Sequence, residues 1–469
     1  MSLAAEASLS LGTEHNENPS KIIWRLAWPA VVLNSLQVIN IFLDTYFVGH
    51  LPVAALTAVG SAGNITFLIF SISMALSTAS TALVSRAFGG KNEKEYKMAT
   101  RQVLSLALYG GIIFMLIGFS LNPFFANILI PAADIDAKRL MVQYLFYAML
   151  SAPALLILES LAGALNAIGD TKSPMRISGL QIFLHVILNY FLILPETTFN
   201  FLGGLTVPGL GLGVSGAGIA LATSQWVAAV IYIGWTARTP LGNCWHIQFP
   251  IFAWAKRIFH IAAPAAATWL LRVVMYMAFT VILTTIPAGS HAIAAMRAGF
   301  AVESIAFMPA IGLVIAAATL VGQSLGMQNP RRAERLGWLA SHHAAVVTTI
   351  VGGILFYFAD PIANFLVTNK PEISAITANY IRFICASETF FAYALVMMGG
   401  MQGAGDTIRP LWITVITMFA IRLPLSWLLA HPMSMGADGC WIAMSVTQCM
   451  QGLLAVYIFK QGKWKTVKV

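Results

Sequence analysis

Charge is scarce in this chain. Asp, Glu, Lys and Arg together make 10% of the 469 residues, against about 25% in a soluble domain, which argues against an ordinary water-soluble fold. Cysteine is scarce too. Cys244, Cys385, Cys440 and Cys449 show neither paired nor metal-ligand spacing, so they read as unpaired apolar residues and leave the redox compartment open. No Ser/His/Asp or paired-carboxylate arrangement points to catalysis, and an enzyme is not expected. The His342-His343 pair has no companion Cys, Asp or Glu at ligand spacing, so neither a metal centre nor a cofactor is expected. A G-x-G-x-x-G match at Gly211, Gly213 and Gly216 opens an apolar helix with no preceding strand, and the dinucleotide reading fails on that context. Residues 1–20 are polar and acidic, without a basic n-region or a cleavage-like site. The first apolar helix is therefore expected to direct insertion itself.

What the chain has is apolar length. Hydrophobic residues make up 58% of it and the mean hydropathy is +0.78. That is enough for twelve spans of about 20 residues or more, running from 24–47 to 439–460, with single helices expected over 139–167 and 411–429. Backbone in lipid must satisfy its own hydrogen bonds, so each span is read as a helix.

The chain also repeats itself. A-I-G-D-T-K-S-P near residue 169 returns as A-G-D-T-I-R-P near 405. Pro29 matches Pro264, Gly89 matches Gly326, Asn92 matches Asn329 and Asp170 matches Asp406, at separations of 235, 237, 237 and 236. Residues 216–225 answer 439–448 at a separation of 223, the shortfall lying in extra residues of the first copy around 196–212. A period this long is a duplicated half-molecule. Six helices per half keep the second copy in the orientation of the first, so the halves are expected to be related by a pseudo-two-fold axis along the membrane normal. The fold class read here is all-α integral membrane, with twelve transmembrane helices in two six-helix lobes. The segments are a polar tail 1–20, a lobe 21–237, an inter-lobe linker 238–257, a lobe 258–460 and a basic tail 461–469.

The formal net charge of +9 is a topology signal. Twenty of the 27 basic residues lie at the N-terminal edge, on alternating loops and after the last helix, from Lys21 and Arg25 through Arg86, Lys91, Lys94, Lys97 and Arg101 to Lys463, Lys465 and Lys468. The positive-inside rule then puts both termini in the cytoplasm of an inner or plasma membrane, and no nucleic-acid partner is expected.

W-P-A-V-V-L-N-S-L-Q-V-I-N-I-F-L-D-T-Y-F-V-G-H-L, T-A-L-V-S-R-A-F-G-G-K-N and E-S-I-A-F-M-P-A-I-G-L-V-I-A-A-A-T-L-V-G-Q-S-L-G-M-Q-N-P, with the two G-D-T loops, resemble multidrug and toxic compound extrusion (MATE) transporters. The similarity runs from Trp28 to about Lys460 and is nearest the bacterial DinF-like branch. The resemblance implies two lobes around a V-shaped cavity and cation-driven export of organic, often cationic, compounds. It also implies that Pro29 is the bending proline of the first helix. In the DinF-like branch a carboxylate is expected where Asn189 stands, and an Asn where His185 stands. Other branches would carry an acid where Arg272 stands.

Ionisable groups inside a membrane are costly there and functional by default. Asn34, Gln37, Asn40 and Asp44 recur at spacings of three and four and share one helix face. A carboxylate there can exchange a proton, and the same oxygens could instead hold Na⁺. Gln181, His185 and Asn189 form a second stripe, and an imidazole with an unperturbed pKa of about 6.5 suits proton exchange. In the second half, Arg272 and Glu303 are expected to pair, with Arg297 six residues before Glu303, Glu388 and Arg422 further charges within later helices, and Glu159 a further acid in the first half. Gln181, Arg272, Met275, Tyr276 and Glu303 are candidates for the solute path; Met and aromatic side chains suit adaptable apolar surfaces, though packing is their ordinary role.

The resulting expectation is an antiporter, with H⁺ favoured over Na⁺, moving small organic molecules by alternating access and sufficient as a monomer. A flippase for lipid-linked oligosaccharide or polysaccharide precursors is the nearest rival, and an integral membrane enzyme a more distant one.

Overall fold

The computed structural model describes residues 18–195, 197–199, 205–244, 248–368 and 370–469. The polar tail up to residue 17 and residues 245–247 of the 238–257 segment lie outside the described residues. The elements are α1 (Pro19–Gly49), α2 (Val53–Gly89), α3 (Glu93–Leu129), α4 (Ile135–Leu150), α5 (Ala152–Ala167), α6 (Lys172–Ile193), α7 (Gly213–Thr236), α8 (Phe252–Thr284), α9 (Gly289–Gly326), α10 (Pro330–Tyr357), the short α11 (Ala359–Leu366), α12 (Pro371–Gly403), α13 (Ile408–Thr414), α14 (Leu423–Ala430) and α15 (Gly436–Gln461). Among the described residues eleven helices are long and apolar enough to cross a membrane, or twelve when one bent pair counts as a single span. The fold is all-α, and among the described residues the one departure is a two-stranded antiparallel pair. Its strands, β1 (Thr197–Phe199) and β2 (Leu205–Val207), set Thr197 opposite Val207, within the extra residues of the first copy.

Two expected helices are interrupted. The span over 139–167 is α4 followed by α5, bent by 43°. Ser151 still bonds back to Tyr147 and Ala148, but Pro153 has no N–H to continue the ladder. The span over 411–429 is α13, a π-helical stretch Val415–Arg422, and α14, with Pro424 in the first turn of α14. A π turn widens the ladder where the proline removes a donor.

The repeated G-D-T loops have a local cause. Gly169 and Gly405 both sit at φ +88, the left-handed conformation that ends a helix and that glycine adopts without a Cβ clash. Asp170 N–H and Asp406 N–H then bond back to the Leu165 and Met401 carbonyls. The Asp carboxylate caps the next helix: Asp170 Oδ1 accepts from Ser173 N–H and Asp406 Oδ1 from Arg409 N–H. One residue ends a helix and the next starts one.

The chain forms two compact units. One holds Val32–Ser80 and Glu93–Phe259; the other holds the start of α1 through Val31, the segment Thr81–Asn92, and His260–Val469. In the second unit Ile22, Ile23, Leu26 and Ala27 of α1 share a core with Ala310, Leu313, Ala316 and Leu320 of α9 and with residues of α10 and α12. The division therefore passes through α1 two residues after Pro29, which is buried within the helix.

Candidate cation-coupling site

In the first unit the two polar stripes meet. Asp44 on α1 accepts from Asn189 Nδ2 of α6 through Oδ1 at 2.6 Å. Its Oδ2 accepts from Asn40 Nδ2 at 3.4 Å, one turn earlier on the same helix. His185 Nδ1 stands 3.3 Å from Asn40 Oδ1 and 3.7 Å from Asp44 Oδ1. With its proton on Nδ1 the imidazole donates to Asn40 while facing the carboxylate. The three nitrogen groups nearest the carboxylate thus come from both helices, and four residues form one network.

Exposure separates their roles. The His185 side chain is 4% exposed and that of Asp44 is 37% exposed. The carboxylate is reachable from outside the packed helices, whereas the ring behind it is not. Asn189 is buried too, and its Oδ1 has no hydrogen-bond partner.

The other stripe members do different work. Asn34 and Gln37, both half-buried, lie ten and seven residues before Asp44 on α1, about two to three turns away along the helix. Gln181 donates to Ser224 Oγ at 3.2 Å and ties α6 to α7. A residue that sequence spacing could not reveal joins from a third helix. Tyr144 of α4 lies within electrostatic reach of Asp44 and packs with Phe47, Ile193 and Ala217. Glu159 lies on α5, half-buried, within electrostatic reach of Tyr232.

The second unit corrects the expected Arg272–Glu303 pair. Glu303 is 6% exposed, and its Oε2 accepts from Tyr380 Oη at 2.6 Å while Oε1 accepts from Gln448 Nε2 at 3.4 Å. The cation acting on it is Arg422, which donates through Nε to Thr447 Oγ1 at 2.7 Å. Arg272 instead lies over the ring of Trp269, 5.7 Å from its centroid. Glu388 is wholly buried within reach of Glu303, and neither of its carboxylate oxygens has a partner. Met275 is 8% exposed and packs in a core cluster with Phe279 and Leu283, so its side chain is a packing element. Tyr276, next to it, is 42% exposed. Arg297 is exposed. Gln448 carries no charge to single it out in the sequence, although the T-Q ending of its repeated segment marks the position. The four cysteines are free, and among the described residues no group of three His, Cys, Asp or Glu could hold a metal.

A duplicated set of apolar helices carrying a partly exposed carboxylate within a membrane-length helix, backed by amide donors and an imidazole, is the build of a polytopic membrane transporter. The MatE family model matches residues 29–191 and 264–428, well over half of the chain, and the protein belongs to the MATE family of transporters. It is 28% identical to the probable multidrug resistance protein NorM of Thermotoga maritima, over 95% of this chain and 93% of that one. It is 27% identical to the protein of the same description from Acinetobacter baylyi, over 90% and 92% of the two chains. Its fold is similar to that of a multidrug resistance MATE family transporter of the MOP superfamily solved in an outward-facing conformation, with TM-score 0.86, 18% identity and coverage of 95% and 96%. It is similar also to a mutant of the Vibrio cholerae MATE transporter VcmN, with TM-score 0.84, 22% identity and coverage of 96% and 97%.

Proposed function

We propose that the protein is a multidrug exporter of the inner or plasma membrane, exchanging H⁺ for small organic solutes, cationic or amphipathic, by alternating access. The observation that carries the choice of ion is the ring of N–H groups facing Asp44. Hard cations need several oxygen ligands turned toward them. Here Asn189 and Asn40 turn their nitrogens to the carboxylate, and the Asn40 oxygen is engaged by His185. That arrangement stabilises an anionic carboxylate and releases it on protonation, whereas Na⁺ would meet the positive ends of the same dipoles.

In this reading Asp44 takes a proton from the outer side, loses its attraction for the donors on α6, and lowers solute affinity in the outward-facing state. Pro29, fifteen residues earlier, is the point where α1 bends in response. The lobes 21–237 and 258–460 rock about the linker 238–257, with the basic loops and both termini in the cytoplasm. The second-unit cluster of Glu303, Tyr380, Gln448 and Arg422 is structural, and Arg422 is held too deeply for the basic cavity that a lipid-linked sugar flippase needs.

The test is reconstitution in liposomes with two assays in parallel. Under an imposed pH gradient, an ethidium-like cation is expected to move, and a fluorescent lipid analogue is expected to stay in its leaflet. Lipid scrambling without cation transport would replace this reading by the flippase one.

A further inference from the structure

The duplicated turn after Gly89 and Gly326 does more than join helices. Within the second unit the ends of α2 and α9 cross backbone to backbone. A Cβ on Gly89 would overlap the Gln323 carbonyl, and a Cβ on Gly326 would overlap the Arg86 carbonyl. Gln323 is the repeat partner of Arg86 and Gly326 that of Gly89, each 237 residues on. The two overlaps are one contact seen from both sides, the self-complementary pattern of a two-fold axis. Ser85 against Gly322, again 237 apart, extends it. Lys91 and Gln328, also repeat partners, share the left-handed conformation at φ 53 and 56. At about 1.5 Å per residue a 37-residue helix such as α2 outruns a hydrocarbon core of about 30 Å. The crossing lies at the basic-loop end of that helix.

The segment after α15 is fastened onto this crossing. Gly462, at φ +73, turns the chain, and Lys463–Thr466 make one 3₁₀ turn. Trp464 is wholly buried, its ring stacked on Phe459 at 4.6 Å and its Nε1–H donating to the Phe459 carbonyl at 2.8 Å. Lys465 Nζ reaches Glu334 on α10 at 2.8 Å. Arg86 Nη1 donates to the Val467 carbonyl at 2.6 Å and to the Ala404 carbonyl at 3.3 Å. Val469 fills the space beside Gly405. Ordering a segment in this way costs conformational entropy, and a basic segment that only set topology would not need it. Arg86 belongs to both features: its backbone meets Gly326 and its side chain holds the segment.

We propose that residues 463–469 are a latch that holds the α2/α9 crossing shut, with Arg86 as its catch. The inference rests on the alternating-access reading, in which this end opens once per cycle, so release of Val467 by Arg86 gates that opening.

The test uses Ser324→Cys in the full chain. Ser324 lies in the last turn of α9, is 1% exposed, and its Oγ has no hydrogen-bond partner to lose. Labelling by N-ethylmaleimide is followed peptide by peptide in a mass spectrometer, with the wholly buried Cys440 of the same unit reporting any unfolding. Arg86→Ala and removal of 463–469 are each expected to raise labelling at position 324 about tenfold without raising it at Cys440, the size expected for one lost charge-assisted bond. Combined, they should do no more than either alone, since both undo one catch. Arg86→Lys, which keeps a donor, should fall between. Unchanged labelling in both variants overturns the proposal, and so does a full additive effect. Should the deletion unfold the chain, Arg86→Lys decides on the same terms. No solute or ion enters this readout, so its failure is distinct from failure of the transport reading.

Discussion

Asp44→Asn is expected to abolish pH-driven solute transport while leaving the protein folded and able to bind solute. Asn keeps the shape of the side chain and can still bond Asn189 and Asn40, so the α1–α6 contact survives. What it loses is the change of charge. A ligand shifts a conformational equilibrium only through a difference in its affinity for the two states, and without a titrating group the proton has no such difference to offer. The pH-driven rate should fall to leak, a drop no smaller than the about 5- to 150-fold that a typical coupling is worth. His185→Ala should cost less, because the ring acts on Asp44 from 3.7 Å and principally holds Asn40. Initial rates in liposomes, beside equilibrium binding of the same solute, check both. Loss of binding in step with loss of rate would mean that Asp44 holds the solute and does not couple the ion.

The second large effect concerns stability. Arg422 is 4% exposed and is the cation within reach of Glu303, itself adjacent to Glu388. Removing one partner from a buried ionic cluster leaves uncompensated charge, at a cost of about 3–5 kcal/mol. Arg422→Met should therefore lower the melting temperature in detergent markedly. Adding Glu303→Gln should recover part of the loss, since the amide needs no counter-charge and still accepts from Tyr380. The recovered part, measured as a double-mutant cycle, is expected at about 0.5–3 kcal/mol. Additive losses would show that Arg422 and Glu303 act independently.

The features that the sequence displayed are those with local causes. Gly-Asp-Thr marks a left-handed helix end followed by a capped helix start, and both copies adopt it. The i, i+4 spacing of Asn40 with Asp44 and of His185 with Asn189 guaranteed a shared face on each helix. That the two faces meet is not contained in the spacing on either helix. Features set by three-dimensional neighbours stayed hidden. Tyr144 lies within electrostatic reach of Asp44 from a third helix with no spacing to announce it. Arg272 and Glu303 are obvious opposite charges in the sequence, but separation along the chain does not say which way a side chain faces. Glu303 found Tyr380 and Gln448, and Arg272 found Trp269. Pro153 and Pro424 were visible as helix breakers, but not whether the chain would bend or widen into a π turn. Nor does any local pattern reveal that the start of α1 and the end of α2 pack with residues of the second half.

Ion replacement in liposomes decides whether a proton at Asp44 drives the exchange. Solute flux is measured with a pH gradient in Na⁺-free buffer, and again with a Na⁺ gradient at uniform pH. Flux is expected in the first condition, none above leak in the second, and none in either for Asp44→Asn. Flux driven by the Na⁺ gradient at uniform pH, with none from the pH gradient alone, would contradict proton coupling at Asp44.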